Sequence, residues 1–246
     1  MNSNNRTTTI ITGASSGIGL EIARSLLKKG GNVVINGRNS KKLSAVAAEL
    51  DAEDRIASVA GNIGNSETRV ALVNAAVRRF GRVDVLVNNA GTFAAKPFVD
   101  VTEEELDGYL HSNLRGTYLM TQAVVRQMKQ QGDGGAIVNI GTVLINHAIG
   151  SFPASAPLVS KGGIHALTVS LAAELAGDNI RVNMVAPGVV RTPLHNDDVD
   201  AYGVLALLNR VGESEEISQA VLYLIEAAFV TGHILPVDGG FITGRA

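Results

Sequence analysis

The stretch Thr12-Gly13-Ala14-Ser15-Ser16-Gly17-Ile18-Gly19 follows the short run Thr8–Ile11 and opens the apolar-periodic run Leu20–Leu27. The order is strand, tight turn, helix. Glycines lack the β-carbon, so they take positive φ and let a backbone approach a ligand, while a helix start offers unpaired N–H groups and a positive dipole end. Those are the means of holding a pyrophosphate. Gly13, Gly17 and Gly19, with Ser15, Ser16 and Ile18 between them, are therefore candidate ligands of a dinucleotide. Their spacing, G-x-x-x-G-x-G, keeps the physical logic of the G-x-G-x-x-G fingerprint without its letter.

Such a turn needs a sheet to carry it. Strand candidates Thr7–Thr12, Asn32–Asn36, Arg55–Val59, Val83–Asn88, Ala136–Ile140, Ile180–Val185 and Ile234–Val237 alternate with helical patterns. The helices are expected near Gly17–Lys29, Ser40–Leu50, Glu67–Phe80, Glu103–Gln130, Pro157–Ala176 and Glu213–Glu226. This alternation predicts a single-domain α/β fold of Rossmann type across residues 1–246, a doubly wound parallel sheet of about seven strands with helices on both faces. No internal repeat interrupts it. The longest break, Arg191–Gly212, holds Asp197-Asp198-Val199-Asp200 and a short helical run Val204–Asn209, and reads as a flap over the ligand.

Bulk properties exclude several classes of partner. A net charge of −2 gives no footprint for nucleic acid. There is no cysteine for a disulfide or thiolate site, and the five histidines (His111, His147, His165, His195, His233) are too scattered for an HExxH cluster, so no metal is expected. Strand-forming residues begin by about Thr7, leaving no room for a signal peptide, and no apolar run reaches the roughly 18 residues that span a bilayer. A cytoplasmic protein without membrane contact, acting on a small molecule, is the expectation.

Further motifs in order extend the pattern: Asn88-Asn89-Ala90-Gly91, Ser112-Asn113-Leu114-Arg115-Gly116, Pro187-Gly188 with Thr192, and Thr231-Gly232-His233-Ile234-Leu235-Pro236-Val237-Asp238-Gly239-Gly240. Along nearly its whole length the chain resembles the short-chain dehydrogenase/reductase family, and its tail is similar to that of 3-oxoacyl-carrier-protein reductases. The resemblance implies hydride transfer with a nicotinamide cofactor. It puts Asn89, Ala90 and Gly91 beside the adenosine ribose, Asn62 and Ile63 at the adenine, and Pro187, Gly188, Val190 and Thr192 at the nicotinamide. It makes Asn113 the catalytic asparagine and implies a homotetramer or dimer through the helices Glu103–Gln130 and Pro157–Ala176.

Cofactor choice is read at the end of the second strand, where an acidic residue would bind the ribose hydroxyls of NAD. Gly37 stands there instead. Arg38, followed by Asn39, offers a guanidinium fork for a 2′-phosphate, so NADP (NADPH) is expected over NAD.

At the catalytic segment the chain departs from its relatives. Pro157-Leu158-Val159-Ser160-Lys161 matches Tyr-x-x-x-Lys with proline in place of the tyrosine acid. The family pattern leaves Lys161 to hold the nicotinamide ribose and puts Thr142, in Asn139-Ile140-Gly141-Thr142, at the substrate carbonyl. The loop between Thr142 and Pro157 is about two residues longer than in relatives. It carries His147, Ser151 and Ser155 as alternative donors, Ser155 being read rather as the helix cap. Tyr202 of the flap is a more remote one. Three readings follow: a carbonyl/alcohol oxidoreductase with an atypical acid such as water, an enzyme acting on C=N or C=C bonds, and a silent NADP-binding sensor or subunit.

Overall fold

β-Branched residues crowd the short apolar runs and suit buried strands, while the longer runs carry apolar residues on one side only, as helices packed on a sheet do. The computed structural model describes residues 6–193 and 197–244. His195, with the rest of Leu194–Asn196 in the expected flap, and the polar start up to Asn5 lie outside the described residues. The strands are β1 (Thr8–Ile11), β2 (Asn32–Gly37), β3 (Ile56–Ala60), β4 (Val85–Asn88), β5 (Gly135–Ile140), β6 (Ile180–Pro187) and β7 (Ile234–Val237). They form one seven-stranded sheet in the order β3-β2-β1-β4-β5-β6-β7, and every pairing is parallel. The order reverses between β1 and β4, so a crevice opens at their carboxyl ends.

Successive residues of each strand point to opposite faces. Ile11, Val33, Val87 and Val138 pack under α1 (Gly17–Lys28), α2 (Ser40–Glu49) and α7 (Ser214–Glu226). Ile10, Val34, Leu86 and Ile137 pack under α3 (Ser66–Phe80), α5 (Gly116–Gln131) and α6 (Ser155–Glu174). Both faces are covered, and each fully buried aliphatic side chain contributes on the order of 1.5–3 kcal/mol. Buried amides tie the site end of the sheet together. Asn88 Nδ2 donates to Asn139 Oδ1 at 2.9 Å, and Asn139 Nδ2 donates to Thr168 Oγ1 of α6 at 2.9 Å. The strand ends are thereby locked to the helix that carries Lys161.

Three expected elements differ. The helix expected over Glu103–Gln130 is broken into α4 (Glu103–Tyr109), a π-helical turn Leu110–Arg115, and α5. Periodicity registers the apolar stripe but not an extra residue in one turn, and here the turn buries Asn113. The helix expected from Pro157 begins two residues earlier, and its cap is Ala154, so Ser155 is its first residue rather than its cap. Pro157 then lies in the first turn, where its missing N–H has no intrahelical partner to lose. The flap's helical run is a 3₁₀ stretch, Asp197–Leu205, not Val204–Asn209. Beyond Leu205 tertiary bonds take over: Leu208 N donates to Gly239 O at 3.0 Å and Gly212 N to Val189 O at 2.9 Å. Among the described residues no helix is long and apolar enough to cross a membrane.

Candidate active site

The turn between β1 and α1 is held from below by Thr12 and Asn89. Thr12 Oγ1 accepts the N–H groups of Asn89 and Ala90, each at 3.0 Å. Asn89 Nδ2 donates to the carbonyls of Thr12 and Gly13 at 3.0 and 2.9 Å. The Asn89 amide therefore braces the glycine turn rather than capping a turn of its own. Gly13 and Gly17 have φ of +68° and +57°, as expected. Gly19 does not take positive φ, because it already lies in the helix; it is glycine through proximity, since a Cβ would stand 2.6 Å from Gly13 O. Ser16 precedes α1 with extended backbone, and its side chain makes no capping bond. The first-turn N–H groups are left for another partner.

A cleft of about 600 Å³ runs from this turn to α6. At its inner end Lys161, buried, donates from Nζ to Ile140 O at 2.7 Å. Burial alone lowers the Lys161 ammonium from its ordinary value to about 8. Thr142, two residues past Ile140, caps a 3₁₀ turn, its Oγ1 accepting from Leu144 N at 3.3 Å. Asn113 is fully buried behind these groups. It accepts from Thr92 N and donates to Thr92 O and Ser160 Oγ, all at 3.0 Å. Asn113 thus ties the turn after β4 to α6.

The structure brings Gly13, Ser16, Gly17, Ile18, Asn89, Ala90 and Gly91 into the walls of this cleft, with Pro187, Gly188, Val190 and Thr192 opposite and Thr142 and Lys161 at the end. The remaining candidates stand off it. Ser15 lies under Gly37, and Arg38 is exposed just after it. Asn39 Oδ1 caps α2 by accepting from Lys42 N at 3.0 Å. Asn62 Oδ1 closes a turn onto Gly64 N at 2.9 Å, and the Ile63 carbonyl accepts from Arg69 at 2.7 Å. Pro157 faces a separate cavity of about 300 Å³ that it shares with Tyr109 and Glu105. His147 packs edge-on against Phe241, with ring centroids 5.2 Å apart, and does not line the cleft; Ser151 and Tyr202 do.

Several wall residues carry no sequence signal. Phe93 and Phe152 stack at 6.3 Å and lie in the wall, as do Phe241 and Asp238 from the tail and Lys42 from α2. The fit of a dinucleotide can be judged on the backbone: a Cβ at Gly17 would stand 3.3 Å from Thr192, and one at Gly91 would stand 3.2 Å from Asn113 Oδ1 and 3.5 Å from Lys161 Nζ. Side chains at these positions would fill the channel that joins the helix start to the lysine.

A family model described as enoyl-(acyl carrier protein) reductase matches residues 13–242. The chain is 36% identical over 244 residues to dehydrogenase/reductase SDR family member 4 of Oryctolagus cuniculus, covering 94% of this chain and 92% of that one. It is 34% identical over 240 residues to a 3-oxoacyl-(acyl-carrier-protein) reductase of Thermotoga maritima, covering 95% and 96%. Its fold matches the crystal structure of a short-chain type dehydrogenase/reductase from Mycobacterium marinum with a TM-score of 0.91 at 30% identity, covering 96% of this chain and 95% of that one.

Proposed function

The chain belongs to the short-chain dehydrogenase/reductase family of nicotinamide-dependent oxidoreductases, and from that premise we propose that it is an NADP-dependent oxidoreductase of carbonyl/alcohol pairs. The observation that carries this reading is the single cleft joining the glycine turn to Lys161 and Thr142. When bound there, the reduced nicotinamide supplies a hydride. The N–H groups of Gly17 and Ile18 face a pyrophosphate at the start of α1, and Pro187, Gly188 and Thr192 form the wall against the nicotinamide. Lys161 orients the adjoining ribose, and the Thr142 hydroxyl donates to the substrate oxygen. Asn113 keeps both supporting elements in register.

The substrate end is apolar. Phe93, Phe152, Leu144 and Phe241 wall it, and apart from Lys161 the charged groups nearby have partners within the protein. Arg210 is forked on Glu216 at 2.6 and 2.8 Å, and the Asp238 carboxylate accepts from Gly240 N and Ile242 N. An uncharged carbonyl compound with an apolar body suits these walls.

Preference for NADP rests on β2. A Cβ at Gly37 would stand 3.0 Å from Ser15 Cβ, so a side chain there would crowd Ser15, and with glycine at this position no carboxylate opposes the positive charge that Arg38 and Lys42 bring to the adenosine end. Calorimetric titration is expected to show NADPH binding more tightly than NADH. Arg38→Ala should weaken NADPH about ten- to a hundredfold, the worth of a charge-assisted hydrogen bond, and leave NADH unchanged. Equal weakening of both contradicts the assignment.

Pro157, which has no proton to give and faces away from the cleft, favours a second reading: a nucleotide-binding protein without turnover. NADPH binding with no oxidation across ketone, imine and enone panels would establish it. We also infer a homo-oligomer through α5 and α6, where Tyr118, Val159 and Val169 are 50%, 58% and 49% exposed. Light scattering is expected to give a dimer or tetramer mass; a monomer contradicts this.

A further inference from the structure

We propose that the Lys161 ammonium is itself the proton donor of this site, delivering its proton to a carbonyl oxygen held by the Thr142 hydroxyl. The inference rests on the oxidoreductase reading above and names a donor that the reading leaves open. Nζ has one partner in the protein, Ile140 O, for its three N–H groups, and the side chain lies in the wall of the cleft. Lys161 and Thr142 both border that cleft. Ile140 and Thr142 are separated by one residue, so at about 3.3 Å per residue of extended chain their Cα atoms stand roughly 6–7 Å apart. With Nζ held at the Ile140 carbonyl and Thr142 two residues on in the same cleft wall, a carbonyl oxygen bound at this end is positioned to meet both side chains. Thr142 Oγ1 already accepts from Leu144 N, which leaves its own proton to point at that oxygen.

The other charged groups of the cleft are paired or stand at its far end. Both oxygens of Asp238 take backbone N–H groups at 2.9 and 3.0 Å, and Arg210 is paired with Glu216. Lys42 stands on α2 at the adenosine end, and Tyr202 lies in the flap, 45% exposed. His147 is outside the walls, packed on Phe241. Nζ donates to the Ile140 carbonyl of β5, and a Cβ at Gly91, in the turn after β4, would stand 3.5 Å from Nζ and 3.2 Å from Asn113 Oδ1 of the π-helical turn; neither the carbonyl nor the amide titrates. Burial alone brings the ammonium to about 8, where it is charged at neutral pH and yet can release a proton.

The step balances. The carbonyl carbon takes the hydride that a reduced nicotinamide dinucleotide supplies, and the π electrons of the C=O bond move to oxygen. That oxygen takes a proton from Nζ. Lys161, left as the neutral amine, regains a proton from water at the mouth of the cleft.

The experiment compares wild type with Lys161→Arg and Lys161→Met. In the nucleotide-free protein, competitive amine labelling read by peptide mass spectrometry is expected to give Lys161 an apparent pKa of about 8. A value at the ordinary lysine pKa of about 10.4 overturns the proposal. With NADPH and a panel of apolar ketones, kcat/KM is expected to be level below about pH 8 and to fall about tenfold per pH unit above it, as the acid form is lost. Lys161→Arg keeps the charge but holds its protons too tightly to give one up near neutral pH, so it should bind NADPH within about tenfold of wild type and lose about 10²–10⁴ of turnover. Lys161→Met fits the same space and should show the same loss of turnover if the arginine disturbs packing. A rate that does not vary with pH, a Lys161→Arg rate equal to wild type, or NADPH binding with no ketone turned over each overturns the proposal. The underlying reading fails separately, by calorimetry: a wild-type protein that takes up no NADPH removes both.

Discussion

A single methyl group at Gly13 is expected to weaken NADPH binding by about a hundredfold. Gly13 holds φ at +68°, and a Cβ there would stand 2.7 Å from Ala90 Cα, part of the backbone of the turn after β4. An L-residue in the left-handed region costs roughly 1–2 kcal/mol, and the clash is with main chain that cannot swing aside. The loop relieves both by moving away from the turn. That motion carries the Gly17 and Ile18 N–H groups off the line of a pyrophosphate, and losing charge-assisted hydrogen bonds at about 1.5–3 kcal/mol each accounts for the two decades. Calorimetry on Gly13→Ala, with thermal unfolding run alongside, separates binding from stability. An unfolding midpoint that drops while NADPH affinity stays within about threefold of wild type would make the loop a purely structural device.

The second large effect is a gain. Pro157→Tyr is expected to raise kcat for ketone reduction by roughly tenfold to a hundredfold while leaving NADPH affinity unchanged. Residues four apart share one face of α6, so a phenol at this position lies one turn from the Lys161 ammonium, whose charge lowers the phenol's pKa. The gain falls short of the full value of a general acid, about 10²–10⁴, because Lys161 already serves as donor. The exchange is compatible with the fold. Pro157 lies in the first helical turn, where replacing proline costs no intrahelical bond, and the expected gain requires the phenol to turn from there toward the cleft. Rates measured across the ketone panel decide it, and an unchanged kcat would place the limit elsewhere than in proton delivery.

Much of this was legible in the chain, and the misses have physical causes. The glycine turn could be read because its signal is local: strand, positive-φ glycines and helix start are adjacent in sequence. The seven-stranded parallel sheet followed from alternation, which is also local. The π-helical turn at Leu110–Arg115 was not readable, since it is fixed by Asn113 bonding Thr92 and Ser160, residues 21 and 47 positions away. Gly19 was misread as a conformational glycine because sequence shows the missing Cβ but not the Asn89 amide and Gly13 carbonyl packed against it. The expected flap helix failed for a similar reason: Leu208 N finds Gly239 O, a partner 31 residues on, and the run ends there. Asn39 and Asn62, amides expected at a ligand, each also close a local turn, which the sequence pattern did not signal. The cleft's aromatic wall came from chain segments that meet only in the fold, among them Phe93, Phe152 and Phe241.

The most direct measurement is a crystal structure of the protein with NADP⁺ at saturating concentration. The account predicts the pyrophosphate against the Gly17 and Ile18 N–H groups, the 2′-phosphate beside Arg38, and the nicotinamide ring between Gly188 and Lys161. A cleft that stays without nucleotide, or a nucleotide bound with its nicotinamide away from Lys161, would contradict it.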